Sequence, residues 1–77
     1  MITLYTKPYC QYCERVKNRI GELAISYEEK SIESEDNLAE LIEKGGKRQV
    51  PYLIDNERGV SMYETEDIIQ YLESIHH

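Results

Sequence analysis

Cysteine is scarce in this chain: two residues in 77, at Cys10 and Cys13. A small secreted domain stapled by disulfides would carry more. A bridge across two intervening residues also closes too small a loop to constrain the unfolded chain much. The pair therefore reads as chemistry rather than scaffolding. No apolar run approaches the ~20 residues of a membrane span. Lys7 and Pro8 interrupt the N-terminal apolar stretch before it resembles a signal peptide. The expectation is a cytoplasmic protein with no membrane partner. Positive charge is short as well, with 9 Lys and Arg against 15 Asp and Glu and a net charge of −6. That is the wrong sign for general nucleic-acid binding or for an anionic lipid surface. There are no repeats, low-complexity runs or linkers. A chain this short holds one small core, so residues 1–77 are read as one domain.

The patterning predicts seven elements. Ile2, Leu4 and Thr6 alternate with Met1, Thr3 and Tyr5, which suggests a half-buried strand over 1–6. Lys7-Pro8-Tyr9 breaks it. Cys13, Val16, Ile20 and Leu23 then recur at helical spacing. Ile25 to Ile32 reads as a second, more polar strand. Ser34 is placed to cap a helix whose apolar face is Leu38, Leu41 and Ile42, ended by Gly45-Gly46. Val50–Ile54 and Gly59–Met62 flank a turn and read as an antiparallel hairpin. Thr65 is expected to cap the last helix, with Glu66 and Asp67 in its first turn and Ile68, Leu72 and Ile75 as its buried stripe. The order β-α-β-α-β-β-α implies a right-handed parallel crossover between the first two strands. A mixed four-stranded sheet flanked by three helices follows.

Cys10-Gln11-Tyr12-Cys13 lies between a strand and a helix. A C-x-x-C in that setting reads as a redox dithiol. Cys10 falls at the first helical turn, where backbone N–H groups lack helical partners and the helix dipole favours an anion. The dipole contributes at most ~2 kcal/mol, so direct hydrogen bonds and a nearby cation must add to it. Lys7 is the best local cation; Arg15 is expected to face elsewhere. Cys13 lies one turn further in, on the apolar stripe, and should be more buried with a higher pKa. Cys10 is thus assigned the attack and Cys13 the resolution. A zinc site built from Cys10, Cys13, His76 and His77 is the competing use of the thiols, but its ligands would have to converge from the far terminus. No metal is expected, and the two histidines read as a frayed tail.

Three segments together resemble a dithiol glutaredoxin: Thr6-Lys7-Pro8-Tyr9-Cys10-Gln11-Tyr12-Cys13, Gln49-Val50-Pro51-Tyr52-Leu53 and Tyr63-Glu64-Thr65. The resemblance implies a thioredoxin-like fold with a cis-proline at Pro51 and a redox-active Cys10–Cys13 disulfide. It implies glutathione as reductant, with glutathionylated or disulfide-containing proteins as partners of a monomer. By resemblance, Lys7, Tyr12, Gln49, Val50, Pro51, Glu64 and Thr65 bind glutathione. The Val50 backbone would pair with the cysteinyl backbone, and the start of the last helix would take the γ-glutamyl end. Two departures stand out. Gln11 occupies the place where many members carry proline. Ser61-Met62-Tyr63-Glu64-Thr65 is closer to the Glu-Ser motif of glutathione transferase N-terminal domains, although the length leaves no room for a transferase's helical second domain. Two alternatives use the same residues. One is a carrier in which two Cys10 thiolates and two glutathiones hold a [2Fe–2S] cluster. The other is a thioredoxin-like electron donor served by a flavoprotein reductase.

Overall fold

The structure is a computed structural model and describes residues 1–76. In chain order it contains β1 (Ile2–Thr6), α1 (Gln11–Glu22), β2 (Tyr27–Ser31), α2 (Glu35–Gly45), β3 (Tyr52–Asp55), β4 (Val60–Met62) and α3 (Thr65–Ile75). The sheet order is β2-β1-β3-β4. β1 and β2 are parallel, whereas β1–β3 and β3–β4 are antiparallel. This is the predicted β-α-β-α-β-β-α mixed sheet. No helix among the described residues is long and apolar enough to cross a membrane.

β1 corrects the sequence reading. The alternation suggests a half-buried strand, yet all five of its residues are buried. The cause is tertiary, because helices cover both faces of the sheet. Ile2 and Leu4 pack with Val16, Ile20, Leu53, Ile68 and Leu72, beneath α1 and α3. Tyr5 points the other way and packs with Leu41 of α2 and with Tyr52. The Tyr5 hydroxyl donates to Glu40 at 3.0 Å, and burial, then Glu40, pushes its pKa up to about 12. β2 is an edge strand and shorter than the apolar limits Ile25 and Ile32 suggest. Those two residues flank it and pack into opposite cores.

The helix ends follow local chemistry. Ser34 accepts from the Asn37 N–H and caps α2, and Gly46 closes it at φ 83°. At the end of α1, Ala24 adopts φ 54°. Its N–H donates to the Gly21 carbonyl, and the Ile25 N–H donates to the Ile20 carbonyl. This double closure usually places glycine at the left-handed position. A Cβ there costs roughly 1–2 kcal/mol, partly offset by the lower chain entropy of alanine. Ala24→Gly is therefore expected to stabilise the protein by about 0.5–1 kcal/mol. A urea midpoint that fell rather than rose would contradict this reading of the turn.

α3 starts one residue earlier than predicted. Glu64, not Thr65, is the capping residue, and Thr65 is the first helical residue. Glu64 has extended backbone and its carbonyl accepts the first helical bond, from the Ile68 N–H at 2.8 Å. Its side chain makes no capping hydrogen bond, so the first-turn donors of α3 have no side-chain partner.

Candidate active site

The loop after β1 carries the thiols. Cys10 is the capping residue of α1, and its sulfur accepts from the Cys13 N–H at 3.2 Å. This is the backbone donor that a strand-to-helix junction supplies to an anion. Both thiols are free. Cys10 is 7% exposed and Cys13 1%. Burial, and then the neighbouring Cys10 sulfur, pushes the Cys13 thiol up to about 12, with the Lys7 backbone and ammonium opposing the shift. The two sulfurs thus occupy unequal environments. Brief alkylation near neutral pH is expected to modify Cys10 well before Cys13, because the thiolate is the reacting species. Peptide mapping that found Cys13 labelled first would contradict this order.

The segment before β3 shares a cleft with Tyr12 of α1, two residues beyond Cys10. The Val50–Pro51 peptide is cis, and Pro51 is buried. A cleft of about 380 Å³ runs between the α1 start and the α3 start, lined by Tyr12, Gln49, Val50, Pro51, Glu64 and Thr65. All six are residues the sequence singles out. Lys7 lies outside this cleft, in an adjoining one of about 310 Å³ that shares Gln49 and Val50 with it.

Three further residues line the first cleft: Arg15, Tyr63 and Glu66. Arg15 is held at the cleft edge by an ion pair with Glu66, and Lys7 is the cation felt at the thiol pair. Glu66 lies 51 residues along the chain from Arg15, beyond any local pattern. Tyr63 holds the wall in place. Its ring packs on Tyr52 at 4.3 Å between centroids. Its hydroxyl accepts from the Lys47 N–H at 3.1 Å and donates to the Lys47 carbonyl at 3.0 Å. The segment that leads to Val50–Pro51 is thereby tied to the start of α3.

Gly45 shows how close that packing is. A Cβ built there would lie 2.0 Å from the Tyr63 hydroxyl oxygen and 3.1 Å from the Tyr52 ring. The obstacle is a stacked ring rather than a flexible chain end. Gly45→Ala is expected to destabilise by about 1–3 kcal/mol, although alanine favours helix. Unchanged stability in urea would show that Tyr63 is free to move. Glycine pairs at helix ends normally read as caps, but here only Gly46 needs its positive φ.

Of the four residues that the competing zinc reading would need, His77 lies outside the described residues. Among the described residues, no group of three or more His, Cys, Asp or Glu is placed to hold a metal ion.

The sheet order, the flanking helices and the thiol pair at the end of the first strand define a thioredoxin-fold protein. Residues 4–77 match the family described as Glutathione S-transferase, N-terminal domain, and the chain belongs to that family. It is also glutaredoxin-like. Two Mycobacterium tuberculosis proteins, provisionally named glutaredoxins, are each 38% identical over 52 residues, 65% of this chain. The match spans 62% of the length of those relatives. A glutathione S-transferase from the Antarctic clam Laternula elliptica is 28% identical with a TM-score of 0.81, covering 97% of this chain and 35% of its own. A buckwheat glutaredoxin, solved as a complex with glutathione, is 23% identical with a TM-score of 0.73, covering 95% of this chain and 68% of its own.

Proposed function

We propose that this protein is a glutathione-dependent thiol–disulfide oxidoreductase that removes glutathione from mixed disulfides and reduces protein disulfides. The observation that carries the reading is the Cys10 sulfur receiving a helix-start N–H beside a cleft lined by Tyr12, Val50, Pro51, Glu64 and Thr65. The glutathione complex of the buckwheat relative supports the same ligand here.

In this reading the Cys10 thiolate attacks the glutathionyl sulfur of a mixed disulfide. The substrate leaves as its thiolate, and Cys10 becomes glutathionylated. A second glutathione thiolate then attacks the glutathionyl sulfur, releasing glutathione disulfide and the Cys10 thiolate. The exchange balances: the attacking glutathione sulfur is oxidised to the disulfide level, the substrate sulfur is reduced to a thiolate, and the transferred glutathionyl sulfur stays at the disulfide level throughout. With an intramolecular protein disulfide, Cys10 stays tethered to the substrate. Cys13 must then attack the Cys10 sulfur, leaving a Cys10–Cys13 disulfide and the substrate dithiol. The Cys13 environment suits this order. Part of its upward shift comes from the Cys10 sulfur and is relieved once that sulfur is in a disulfide, while Lys7 continues to favour the anion.

The α3 start suits the γ-glutamyl end. Its first-turn N–H groups have no side-chain cap and can take a carboxylate, while Glu64 can take the ammonium. Lys7 in the adjoining cleft suits the other carboxylate end. A charged hydrogen bond contributes about 1.5–3 kcal/mol, so Lys7→Ala and Thr65→Val are each expected to raise the KM for glutathione roughly ten- to hundredfold. Melting should change little, because Lys7 is exposed and Thr65 partly so. An unchanged KM in both variants would remove the cleft from the mechanism.

A further inference from the structure

We infer that Tyr63 is a positioning residue for glutathione: its hydroxyl fixes the main chain at Lys47 and so pre-sets the Val50–Pro51 wall of the cleft. This rests on the glutathione reading above and adds a residue that sets affinity without giving its hydroxyl to the ligand.

The argument begins with what holds that wall. Residues 46–51 lie between α2 and β3 and form neither helix nor strand. Val50 packs against the core of Tyr5, Leu41 and Tyr52, and Pro51 is buried. Packing of this kind is non-directional and leaves the main chain room to shift. Among the described residues, no backbone–backbone hydrogen bond reaches the main chain of residues 47–51. The hydrogen bonds that do reach it are the two made by Tyr63. The Lys47 N–H donates to the Tyr63 hydroxyl at 3.1 Å, and the hydroxyl donates to the Lys47 carbonyl at 3.0 Å. Val50 thus keeps its own N–H and C=O unpaired, as strand-like pairing with an extended ligand backbone requires. The segment is open where the ligand would pair and anchored three residues upstream.

The anchor is itself held. The Tyr63 ring packs on Tyr52 of β3, which is buried. Gly45 lacks the Cβ that would collide with the hydroxyl, so the ring can reach Lys47. The hydroxyl has one proton, and the Lys47 carbonyl takes it. Tyr63 therefore acts on a ligand through the Lys47 main chain, although its side chain lines the cleft. The next two residues in the chain are Glu64 and Thr65, at the start of α3 on the opposite wall. One side chain thus joins the wall expected to take the cysteinyl backbone to the wall expected to take the γ-glutamyl end. A segment ordered before binding spares the ligand that ordering cost.

The test separates positioning from packing and from redox chemistry. S-methylglutathione, a thioether that cannot exchange disulfides, is titrated by NMR as the binding probe. Tyr63→Phe keeps the ring and removes the hydroxyl. It is expected to bind the probe roughly three- to tenfold more weakly, and to raise the KM for glutathione by a similar factor with kcat little changed. Hydrogen exchange at the Lys47 amide should accelerate in the same variant. Lys47→Ala removes the ammonium that lies 5.6 Å from the Tyr63 ring centre but keeps the main chain that the hydroxyl holds, so it should bind the probe like wild type. A lower melting temperature in Tyr63→Phe with unchanged probe affinity would make Tyr63 a packing residue and overturn the positioning role. An equal loss of affinity in Lys47→Ala would overturn it too. Turnover of a small glutathionylated substrate reports the redox reading separately. Turnover with probe binding indifferent to the Tyr63 hydroxyl would remove only the positioning role. Probe binding that depends on the hydroxyl, without turnover, would contradict only the redox mechanism.

Discussion

Cys10→Ser is expected to reduce turnover to the uncatalysed background on glutathionylated peptides and on protein disulfides alike. Serine cannot form the mixed disulfide through which both reactions pass. Cys13→Ser should behave differently. It is expected to keep deglutathionylation, which needs only Cys10 and a second glutathione, and to lose much of the reduction of intramolecular protein disulfides. The distinction is one of effective concentration. Cys13 is one helical turn from Cys10, and its backbone N–H already lies 3.2 Å from the Cys10 sulfur. A tethered thiol acts as if present at millimolar levels or above. With free glutathione held at roughly 0.1 mM, losing it should slow protein-disulfide reduction about tenfold or more. Assaying each variant on both substrates separates the stages. If Cys13→Ser abolished deglutathionylation, or Cys10→Ser spared it, the division of labour would be wrong.

The largest stability effect is expected far from the thiols. Asp55 closes β3 and is 1% exposed. It pairs with Ile2 at the end of β1 remote from Cys10. Its carboxylate accepts from the Tyr71 hydroxyl at 2.6 Å, from Arg58 at 2.9 Å and from the Glu57 N–H at 3.1 Å. Burial alone would raise its pKa. The bonds from Tyr71 and Arg58 outweigh burial and hold the carboxyl below its ordinary value. Asp55→Ala strands the Tyr71 hydroxyl and a backbone N–H, while half-exposed Arg58 can regain water. A loss of about 2–3 kcal/mol follows. At roughly 4–8 °C per kcal/mol for a domain of this size, melting should fall by about 10–20 °C. Arg58→Ala should cost less, about 1–2 kcal/mol, because the Tyr71 hydroxyl and the Glu57 N–H still serve the buried carboxylate.

The pH dependence has a definite sign. A depressed folded pKa means that this stabilisation is complete above the unfolded carboxyl value near ~3.9. It is lost as pH falls through the lower folded value. Asp55→Asn should therefore flatten part of the acid-side decline measured by urea unfolding. Glu29 and Glu40, also held below their ordinary values, keep the remainder. An acid limb identical in wild type and Asp55→Asn would assign the decline to other carboxyls.

Asp55 also shows where sequence reading stops. The turn reads correctly over 56–59, but Asp55, expected in it, is the last residue of β3; the bond that its carboxylate accepts from the Glu57 N–H is local. The Tyr71 partner lies on another element, so nothing nearby marks the acid as buried. β1 misleads for the same reason, because the face that seems polar is covered by α2, whose position depends on the whole fold. Thr65 looks like the capping residue because threonine favours that role. Glu64 takes it through backbone geometry alone, with no side-chain bond for a sequence pattern to reveal. Cys10 and Cys13 were legible because their meaning is local: a strand, a loop and a helix start within a dozen residues. Val50–Pro51, Glu64 and Thr65 were legible only through family resemblance. Arg15 and Tyr63 were missed, since their partners Glu66 and Lys47 lie at long range. The paired Gly45-Gly46 was the available hint of a close approach by Tyr63, because a left-handed cap needs only one glycine.

Under the proposed function Cys10, served by glutathione, exchanges disulfides beside the Tyr12–Thr65 cleft. The most direct measurement is turnover of a glutathionylated peptide with glutathione recycled by glutathione reductase, compared with thioredoxin reductase as the sole electron source. Turnover is expected with glutathione in wild type and Cys13→Ser, with none in Cys10→Ser and little with thioredoxin reductase. Turnover supported by thioredoxin reductase and indifferent to glutathione would contradict the proposed function.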